Sequence, residues 1–419
     1  MSTESEPTSC KAFRQWLESN GGEFHPETLF LSDSSGFRIV AKTKLPSDTK
    51  IVSCPFALVI TKAVAQKALT SILGSQISSL TESWSARQWV STYISFHWIM
   101  GEASAPADLA HFRYMDILPA SDKLRTPLHF TRQELDLFRG TNLYGATLDR
   151  EREWKAEWRE CEELVRTVNP AWGEAYTWEY YLTAATYLSS RAFPSSILSE
   201  TPTLEYSPNS EPVLLPGIDS LNHARGQPVS WVVTHGHPTQ TSPNPTTQDP
   251  QISLILHTPT QQGNELFNNY GAKPNSEFIL GYGFSLPKNP EDTIVLKVGG
   301  IEGRKWEIGR SARGVDGLWD EILGAMAENI DEATYEDKLD ASSMLMEMLQ
   351  SLVDRLPAVD KDEGNLPNIR PEVVSMLFDY VEGQRDILES LVTFAKEKEQ
   401  GAFDEAREQG IELVIEDDE

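Results

Sequence analysis

Apolar residues recur along this chain with two periods, and the changes between them mark its parts. Phe13, Trp16 and Leu17 stand at helical spacing, and Gly21-Gly22, which tolerates a left-handed backbone, closes a short N-terminal helix. Gly36-Phe-Arg-Ile-Val-Ala41, the turn Pro46-Ser-Asp48 and the apolar run over 51–60, broken by Pro55, predict strands joined by tight turns. Over 62–168 the period becomes helical. Trp89, Tyr93, Phe96 and Met100 form one stripe, and Trp154, Trp158, Cys161, Val165 and Val168 another, so these aromatics read as core. A helix over 177–190 runs into Ser190-Arg-Ala-Phe-Pro194, where proline stops it.

Residues 234–250 are low in apolar content and rich in proline and hydroxyls, which predicts a mobile insertion, and a strand resumes over 252–257. A short strand over 294–298 precedes strongly helical sequence. Met344, Leu345, Met348, Leu349, Leu352 and Leu356 share one face there, and Val373, Leu377, Tyr380, Gln384, Ile387, Leu391 and Phe394 nearly share another. This predicts a separate helical domain. Its tail from Gly401 carries eight acids against one arginine and is expected to be frayed or disordered at its end.

Length and charge narrow the function. A chain of 419 residues has room for two or three domains, and 39% hydrophobic with 24% charged residues is an ordinary globular composition. The formal charge of −27 repels nucleic-acid phosphates and attracts basic protein surfaces, so no direct nucleic-acid binding is expected. Cys10, Cys54 and Cys161 are too few and too scattered for a disulfide framework or a zinc knuckle, which fits a reducing compartment. The polar, acidic start does not read as a secretory signal, and no apolar run approaches the roughly 20 residues of a membrane span. A cytoplasmic or nuclear, monomeric protein with no membrane contact is expected.

Two segments carry candidate chemistry. Asp219-Ser-Leu-Asn-His-Ala224 follows the apolar Leu214-Leu-Pro216; taken alone, a buried Asn or His satisfied by backbone groups is the commoner reading. Glu265-Leu-Phe-Asn-Asn-Tyr-Gly271 reads as a strand entering a turn, with Asn275-Ser-Glu277 opening a short helix by supplying its cap. Tyr270 and Tyr282, each beside a glycine, either line a narrow channel or sit in the core, and spacing alone favours the core. His235 and His237 lack the further ligands a zinc site needs, so no metal is expected. Neither a Gly-x-Ser-x-Gly elbow nor a Gly-x-x-x-x-Gly-Lys-Ser/Thr loop is present.

The order of these pieces resembles SET-domain methyltransferases of the branch typified by the plant Rubisco large-subunit lysine methyltransferase and its fungal relatives that methylate ribosomal proteins. The resemblance covers most of the chain. It runs through Phe13 to Gly22, Gly36 to Ala41, Tyr114-Met-Asp-Ile-Leu-Pro119, Thr126-Pro127 with Glu134-Leu135 and Gly140-Thr141, Ser190 to Phe193, Leu215 to His223, Phe267 to Gly271, Asn275 to Glu277 and Tyr282 to Phe284. It implies an α+β architecture in which a β-rich SET fold is split by a helical insertion and followed by an all-helical substrate-binding domain. The boundaries are then 1–61 for the first part of the SET domain, 62–188 for the insertion, 189–292 for the second part and 293–419 for the helical domain with its acidic tail.

The resemblance also implies residue roles toward an S-adenosylmethionine cofactor. Gly36, Phe37 and Arg38 present backbone groups to it, Arg191 pairs with its carboxylate, Asn222 and His223 hold its amine and adenine edge, and Phe284 stacks on the adenine. Tyr270 stands beside the transferring methyl as the catalytic residue; Asp219, Trp231 and Tyr282 border the acceptor channel. Arg38 departs from the Gly-x-Gly of many relatives, and three scattered cysteines do not supply the post-SET zinc of the histone-methylating branch. The expected function is lysine methylation of a basic non-histone protein, with ribosomal proteins favoured over histones. Histidine methylation, or a SET-like binding module without catalysis, are the alternatives.

Overall fold

The computed structural model describes residues 5–33, 36–205, 207–235, 250–298, 303–358 and 368–412. Most of the insertion expected at 234–250, with His237, and the end of the acidic tail lie outside the described residues. The chain forms two compact units, one of 1–129 with 150–272 and the other of 130–149 with 273–419.

In the first unit, α1 (Thr8–Ser19) buries Cys10, Phe13 and Leu17 and closes at Asn20 and Gly21. The strands β1 (Glu23–Phe24), β2 (Thr28–Asp33), β3 (Gly36–Ala41) and β4 (Thr49–Pro55) follow, with β2 and β3 paired as an antiparallel hairpin. Helices α2 (Lys62–Leu73), α3 (Ala86–Met100) and α4 (Phe112–Met115) come next. Between α5 (Arg132–Asp136), which lies in the second unit, and α7 (Pro170–Ala175), the long α6 (Asn142–Val168) brings the chain back to the first unit, where α8 (Trp178–Arg191) completes the helices. Short strands β5 (Phe193–Pro194) and β6 (Pro212–Val213) pair, as do β7 (Asn222–His223) and β10 (Phe267–Asn268); β8 (Val229–Thr234) and β9 (Gln251–Leu256) complete an antiparallel sheet of order β1-β4-β9-β8.

The helix α3 opens with a capping box from Ser85 and Gln88 and is buried at every position from Gln88 to His97, which is why its aromatic stripe is core. The polar ends of Tyr93 and His97 on that stretch belong to a closed network. The Tyr93 hydroxyl lies 2.5 Å from His111 Nδ1, His111 Nε2 lies 3.1 Å from the Leu58 carbonyl, and His97 lies 3.0 Å from the Tyr93 carbonyl. Burial pushes His111 down to about 3 and His97 to about 4, so both are neutral in the fold. In the unfolded chain they take up protons below about pH 6.5. Their contribution to stability is therefore complete above that pH and is lost as pH falls toward the folded values. At pH 5 each is expected to cost about 2 kcal/mol. His97→Gln, whose amide replaces both ring contacts, should shrink the loss of stability between pH 7 and pH 5 by about that amount in urea titrations; an unchanged loss would show the pair is not what titrates.

The second unit contains residues 130–149, α9 (Asn275–Glu277), strands β11 (Thr293–Lys297) and β12 (Lys305–Gly309), and helices α10 (Val315–Met326), α11 (Tyr335–Val353) and α12 (Pro371–Glu408). Two expectations need correction here. The C-terminal part is not all-helical, because β11 and β12 form an antiparallel hairpin that buries Ile294, Leu296 and Ile308 against Leu318, Ile322 and Leu391. Lys305-Trp-Glu-Ile-Gly309 alternates charged and apolar positions, a short period-two pattern that suits a strand. The helix α12 runs through Gly401 to Glu408, since Ala395, Ala402 and Ala406 keep a small-residue face fully buried and Glu405 pairs with Lys338 at 2.5 Å. Asn275 is not a cap, a position that Pro274 takes; it is fully buried, donates from its backbone to Asp292 at 2.7 Å and bonds Leu286 in both directions.

Candidate active site

The site is built where β7 runs parallel beside β10, with Asn222 opposite Phe267 and His223 opposite Asn268. The Ala224 amide extends the ladder to the Asn268 carbonyl at 2.9 Å. The chain then turns because Asn268 Oδ1 accepts the Asn269 amide and Asn269 Oδ1 accepts the Gly271 amide, two side chains mimicking a backbone turn. Gly271 completes it at φ 93°, a conformation that other residues rarely adopt.

This turn fixes Tyr270 at both ends. Its amide donates to His223 Nδ1 at 3.0 Å, its hydroxyl donates to the Leu221 carbonyl at 2.8 Å, and the two rings stack with centroids 5.2 Å apart. Accepting at Nδ1 places the imidazole proton on Nε2. Burial pushes His223 down to about 4 and the Tyr270 phenol up to about 12, the latter against the opposing charge of Arg191, so both rings are neutral near pH 7.

Arg191, the last residue of α8, donates from Nη1 to the Asp219 carbonyl at 3.0 Å and lies 3.5 Å from Asp219 Oδ2. Burial raises the Asp219 carboxyl, while the Arg191 charge and the Tyr114 hydroxyl oppose that rise. On the other side Asn222 donates to Glu265 Oε1 at 2.8 Å. Burial raises the Glu265 carboxyl too, opposed by the Asn222 bond and the charge of Arg38. A bridge between Val40 and Glu265 ties β3 to this region. Gly36 opens β3 at φ 138°, a conformation that side chains rarely adopt, although a Cβ there would meet Pro119 only at an ordinary contact distance of 3.6 Å. Arg38, in place of a second glycine, keeps its pairing with Leu31, so the hairpin backbone survives the replacement.

Five expected residues lie in the first unit in three bonded sets, Arg191 with Asp219, His223 with Tyr270 and Asn222 with Glu265, with Gly36, Phe37 and Arg38 on the neighbouring hairpin. Trp231 lies on edge strand β8, paired with Leu254 and set edge-on to Phe193 with ring centroids 6.5 Å apart. Tyr282 and Phe284 belong to the second unit, where they cluster with Phe278. Sequence reasoning misses two members, Tyr114 and Glu265. The signal for Glu265 is a carboxylate directly before the apolar Leu266-Phe267; Tyr114 has none beyond its place in a matched motif. Asp219 Oδ1, Ser220 Oγ and Asn268 Nδ2 are buried with no hydrogen-bond partner among the described residues. Buried polar atoms of both signs beside a guanidinium suit a ligand that carries a carboxylate, an amine and heterocyclic nitrogens. Among the described residues no group of three His, Cys, Asp or Glu converges as metal ligands, and no helix is long and apolar enough to cross a membrane.

No family model matches this sequence. The chain is 32% identical over 286 residues to the ribosomal lysine N-methyltransferase set10 of Schizosaccharomyces pombe, a match that covers 67% of this chain and 46% of that protein. It is 24% identical over 331 residues to the protein-lysine N-methyltransferase EFM1 of Saccharomyces cerevisiae, covering 68% and 50%. The chain therefore spans about half the length of the curated relatives it matches. Among solved structures, the SET domain of LSMT bound to lysine and AdoHcy superposes with a TM-score of 0.72 at 17% identity, covering 96% of each chain. Rubisco LSMT bound to AdoMet superposes with a TM-score of 0.71 at 17% identity, covering 98% of each. The fold is that of the SET domain. In sequence the chain is similar to these two lysine N-methyltransferases, and in fold to the LSMT structures, the branch its ordered motifs resemble.

Proposed function

We propose that this protein is an S-adenosylmethionine-dependent protein-lysine N-methyltransferase acting on a basic, ribosomal protein in the cytoplasm or nucleus. The observation that carries the reading is Tyr270, held by His223 and Leu221 beside the half-buried Arg191 and the buried Asp219. When bound, S-adenosylmethionine supplies a methyl group on a sulfonium, open to in-line displacement by a neutral nitrogen. Arg191 would hold the cofactor carboxylate, Asn222 and His223 its amine and adenine edge, the backbone of Gly36, Phe37 and Arg38 its flank, and Phe284 the adenine face. Tyr270 sets an oxygen beside the methyl position, and Asp219, Trp231 and Tyr282 border the path of the acceptor.

Little acid–base machinery is needed. A lysine that leaves water for a buried site beside a positive charge gives up its proton more readily, because desolvation and like charge both disfavour the ammonium. Alignment of the reacting atoms supplies most of the acceleration. The expected division of the chain into a SET fold, an insertion over 62–188 and a C-terminal substrate-binding domain is part of this proposal. The names of the set10 and EFM1 relatives support lysine and protein substrates, and the −27 charge favours a basic partner.

A second reading, histidine methylation, draws on the actin-histidine N-methyltransferase of Mus musculus, 21% identical over 289 residues and covering 68% of this chain and 44% of that protein. One experiment separates the readings. The full chain is incubated with methyl-labelled S-adenosylmethionine and a methylation-deficient cell extract, and the labelled residue is found by mass spectrometry. Label on lysine of a ribosomal protein is the expected result; label on histidine moves the acceptor class. Absence of both label and calorimetric cofactor binding would leave a binding module.

A further inference from the structure

Asp48 directly precedes β4, His257 directly follows β9, and Ser230 lies on β8, so the antiparallel sheet sets these three residues side by side. Successive side chains of a strand point to opposite faces, which places Ser230 on the face away from the Trp231 ring. His257 Nδ1 lies 2.7 Å from Asp48 Oδ1, and His257 Nε2 lies 2.9 Å from the Ser230 hydroxyl. An ionised carboxylate only accepts, so in the neutral imidazole Nδ1 carries the proton and Nε2 accepts from Ser230. The bond from His257, with one from Ser47, holds the Asp48 carboxyl below the usual carboxylate range. The Ser47 hydroxyl lies 2.6 Å from the His257 carbonyl and 3.1 Å from Asp48 Oδ2, tying the two segments together. Asp48 itself stands at φ 62°, a left-handed conformation that aspartate tolerates better than most residues.

A serine hydroxyl bonded to an imidazole that a carboxylate orients is the arrangement of an activated nucleophile, and it is defined by geometry and roles rather than by a Gly-x-Ser-x-Gly elbow. Solvent reaches it. Ser230 is half-buried, and the His257 and Asp48 side chains are 38% and 72% exposed. The strand β8 is at the edge of its sheet. The His257 amide donates to the Pro228 carbonyl at 3.0 Å, which sets the alternation of the β8–β9 ladder: the backbone of Ser230 turns toward β9, and the amide of Trp231 turns toward the edge. The amide one residue after the nucleophile is where hydrolases take an oxyanion contact. Ile255, opposite Ser230, and Val232, two residues along and 36% exposed, present apolar surface on the same face for a short acyl chain.

We propose that Asp48, His257 and Ser230 form a second reactive site, sharing no side chain with the methyl-transfer cluster, at which Ser230 takes the acyl group of small carboxylic esters. Ser230 Oγ attacks the carbonyl carbon. Its proton passes to His257 Nε2 and on to the departing alkoxide as the ester C–O bond breaks, leaving an acyl-serine and a free alcohol. Water, giving a proton to His257 in turn, then attacks the acyl carbon; the bond to Oγ breaks, Ser230 regains its proton, and the carboxylic acid leaves. Asp48 is a positioning residue that holds the imidazole with Nε2 toward Ser230. This inference stands independently of the methyltransferase reading.

The test uses the full chain without added cofactor, with p-nitrophenyl acetate as the ester and diisopropyl fluorophosphate as a trap for the nucleophile. Peptide mass spectrometry is expected to find the diisopropylphosphoryl label on Ser230 ahead of every other exposed serine, and release of p-nitrophenol should fall about tenfold in Ser230→Ala. General-base help is worth about 10²-fold or more in closed sites and less where water competes for the ring, so His257→Gln is expected to slow the labelling of Ser230 about tenfold. Asp48→Asn should slow it about threefold. Nitrogen NMR of that variant should show the His257 proton moving from Nδ1 toward Nε2, a change that a merely structural Asp48 would not bring together with slower labelling. Labelling of Ser230 no faster than that of other exposed serines, or equally fast in the wild type and His257→Gln, overturns the proposal and leaves the three side chains as a fastening between strand ends. Acetyl found only on lysines, with Ser230 unlabelled by the trap, overturns it as well.

Discussion

Tyr270→Phe is expected to slow methyl transfer on the order of 10²-fold while lowering the melting temperature by no more than about 4 °C. The hydroxyl donates to the Leu221 carbonyl, and a single neutral bond is worth about 1 kcal/mol net, which sets the small stability effect. The large rate effect does not come from the oxygen's own attraction for the methyl. A C–H···O contact is worth about 0.5–1 kcal/mol, only a few-fold in rate. Alignment decides it, since a misplacement of about 1 Å in a reacting geometry costs on the order of 10²-fold. Without the Leu221 anchor the ring is still stacked on His223 but free to shift at its reactive end. With the phenol at about 12, the wild-type rate should show no titration of Tyr270 at neutral pH. Single-turnover rates and melting curves on the same preparations check both halves; a wild-type rate in Tyr270→Phe removes Tyr270 from its assigned place.

How legible the fold and the site are in the amino-acid sequence differs from residue to residue. The periodicity of Trp89, Tyr93 and Phe96 identifies a core helix because burial and spacing are local properties of one element. Asn222-His223 and Tyr270 are individually more consistent with ordinary core, and only their order along the chain singles them out. The parallel β7–β10 ladder supplies the physical reason that order matters, since it sets two segments over forty residues apart side by side. Contacts such as Tyr114 with Asp219, or Glu134 with Arg370, leave no mark on local spacing and are invisible there. The β12 strand is easily passed over because its alternation, Lys305-Trp-Glu-Ile308, is only four residues long, the least over which a period of two registers. Asn275 looks like a cap because the same side chain that caps helices also bridges buried loops, and sequence does not tell the two apart.

Glu134→Ala is expected to destabilise the second unit by about 3 kcal/mol, the largest single-residue stability effect anticipated among its ion pairs. Glu134 has 0% exposure and closes a capping box with Thr131 at the start of α5. Arg370, 236 residues later, donates to its Oε1 from the backbone at 3.0 Å and from Nε at 2.7 Å, and to its Oε2 from Nη2 at 2.7 Å. Burial pushes the carboxyl up, but the Arg370 side chain and the Thr131 and Arg370 amides outweigh it and hold it at about 2. Because the folded value lies below the unfolded one, this stabilisation is present above about pH 4.3 and is lost as pH falls through 2. Truncation removes every one of those acceptors at once. The cost falls at the low end of the range for broken buried pairs because Arg370 is 27% exposed and water reaches it. Two of the three carboxylates on Arg310 make the contrasting case: unlike the buried Asp292, Glu382 and Asp386 are 43% and 49% exposed, so Glu382→Gln should cost no more than about 1 kcal/mol. Replacing both members of the buried pair, Glu134→Met with Arg370→Met, should recover most of the loss, since apolar residues of similar volume carry no desolvation penalty. Urea unfolding of the three variants, analysed as separate transitions for the two units, makes the comparison. A Glu134→Ala curve that overlays the wild type would show that the pair, for all its short contacts, contributes nothing net to the fold.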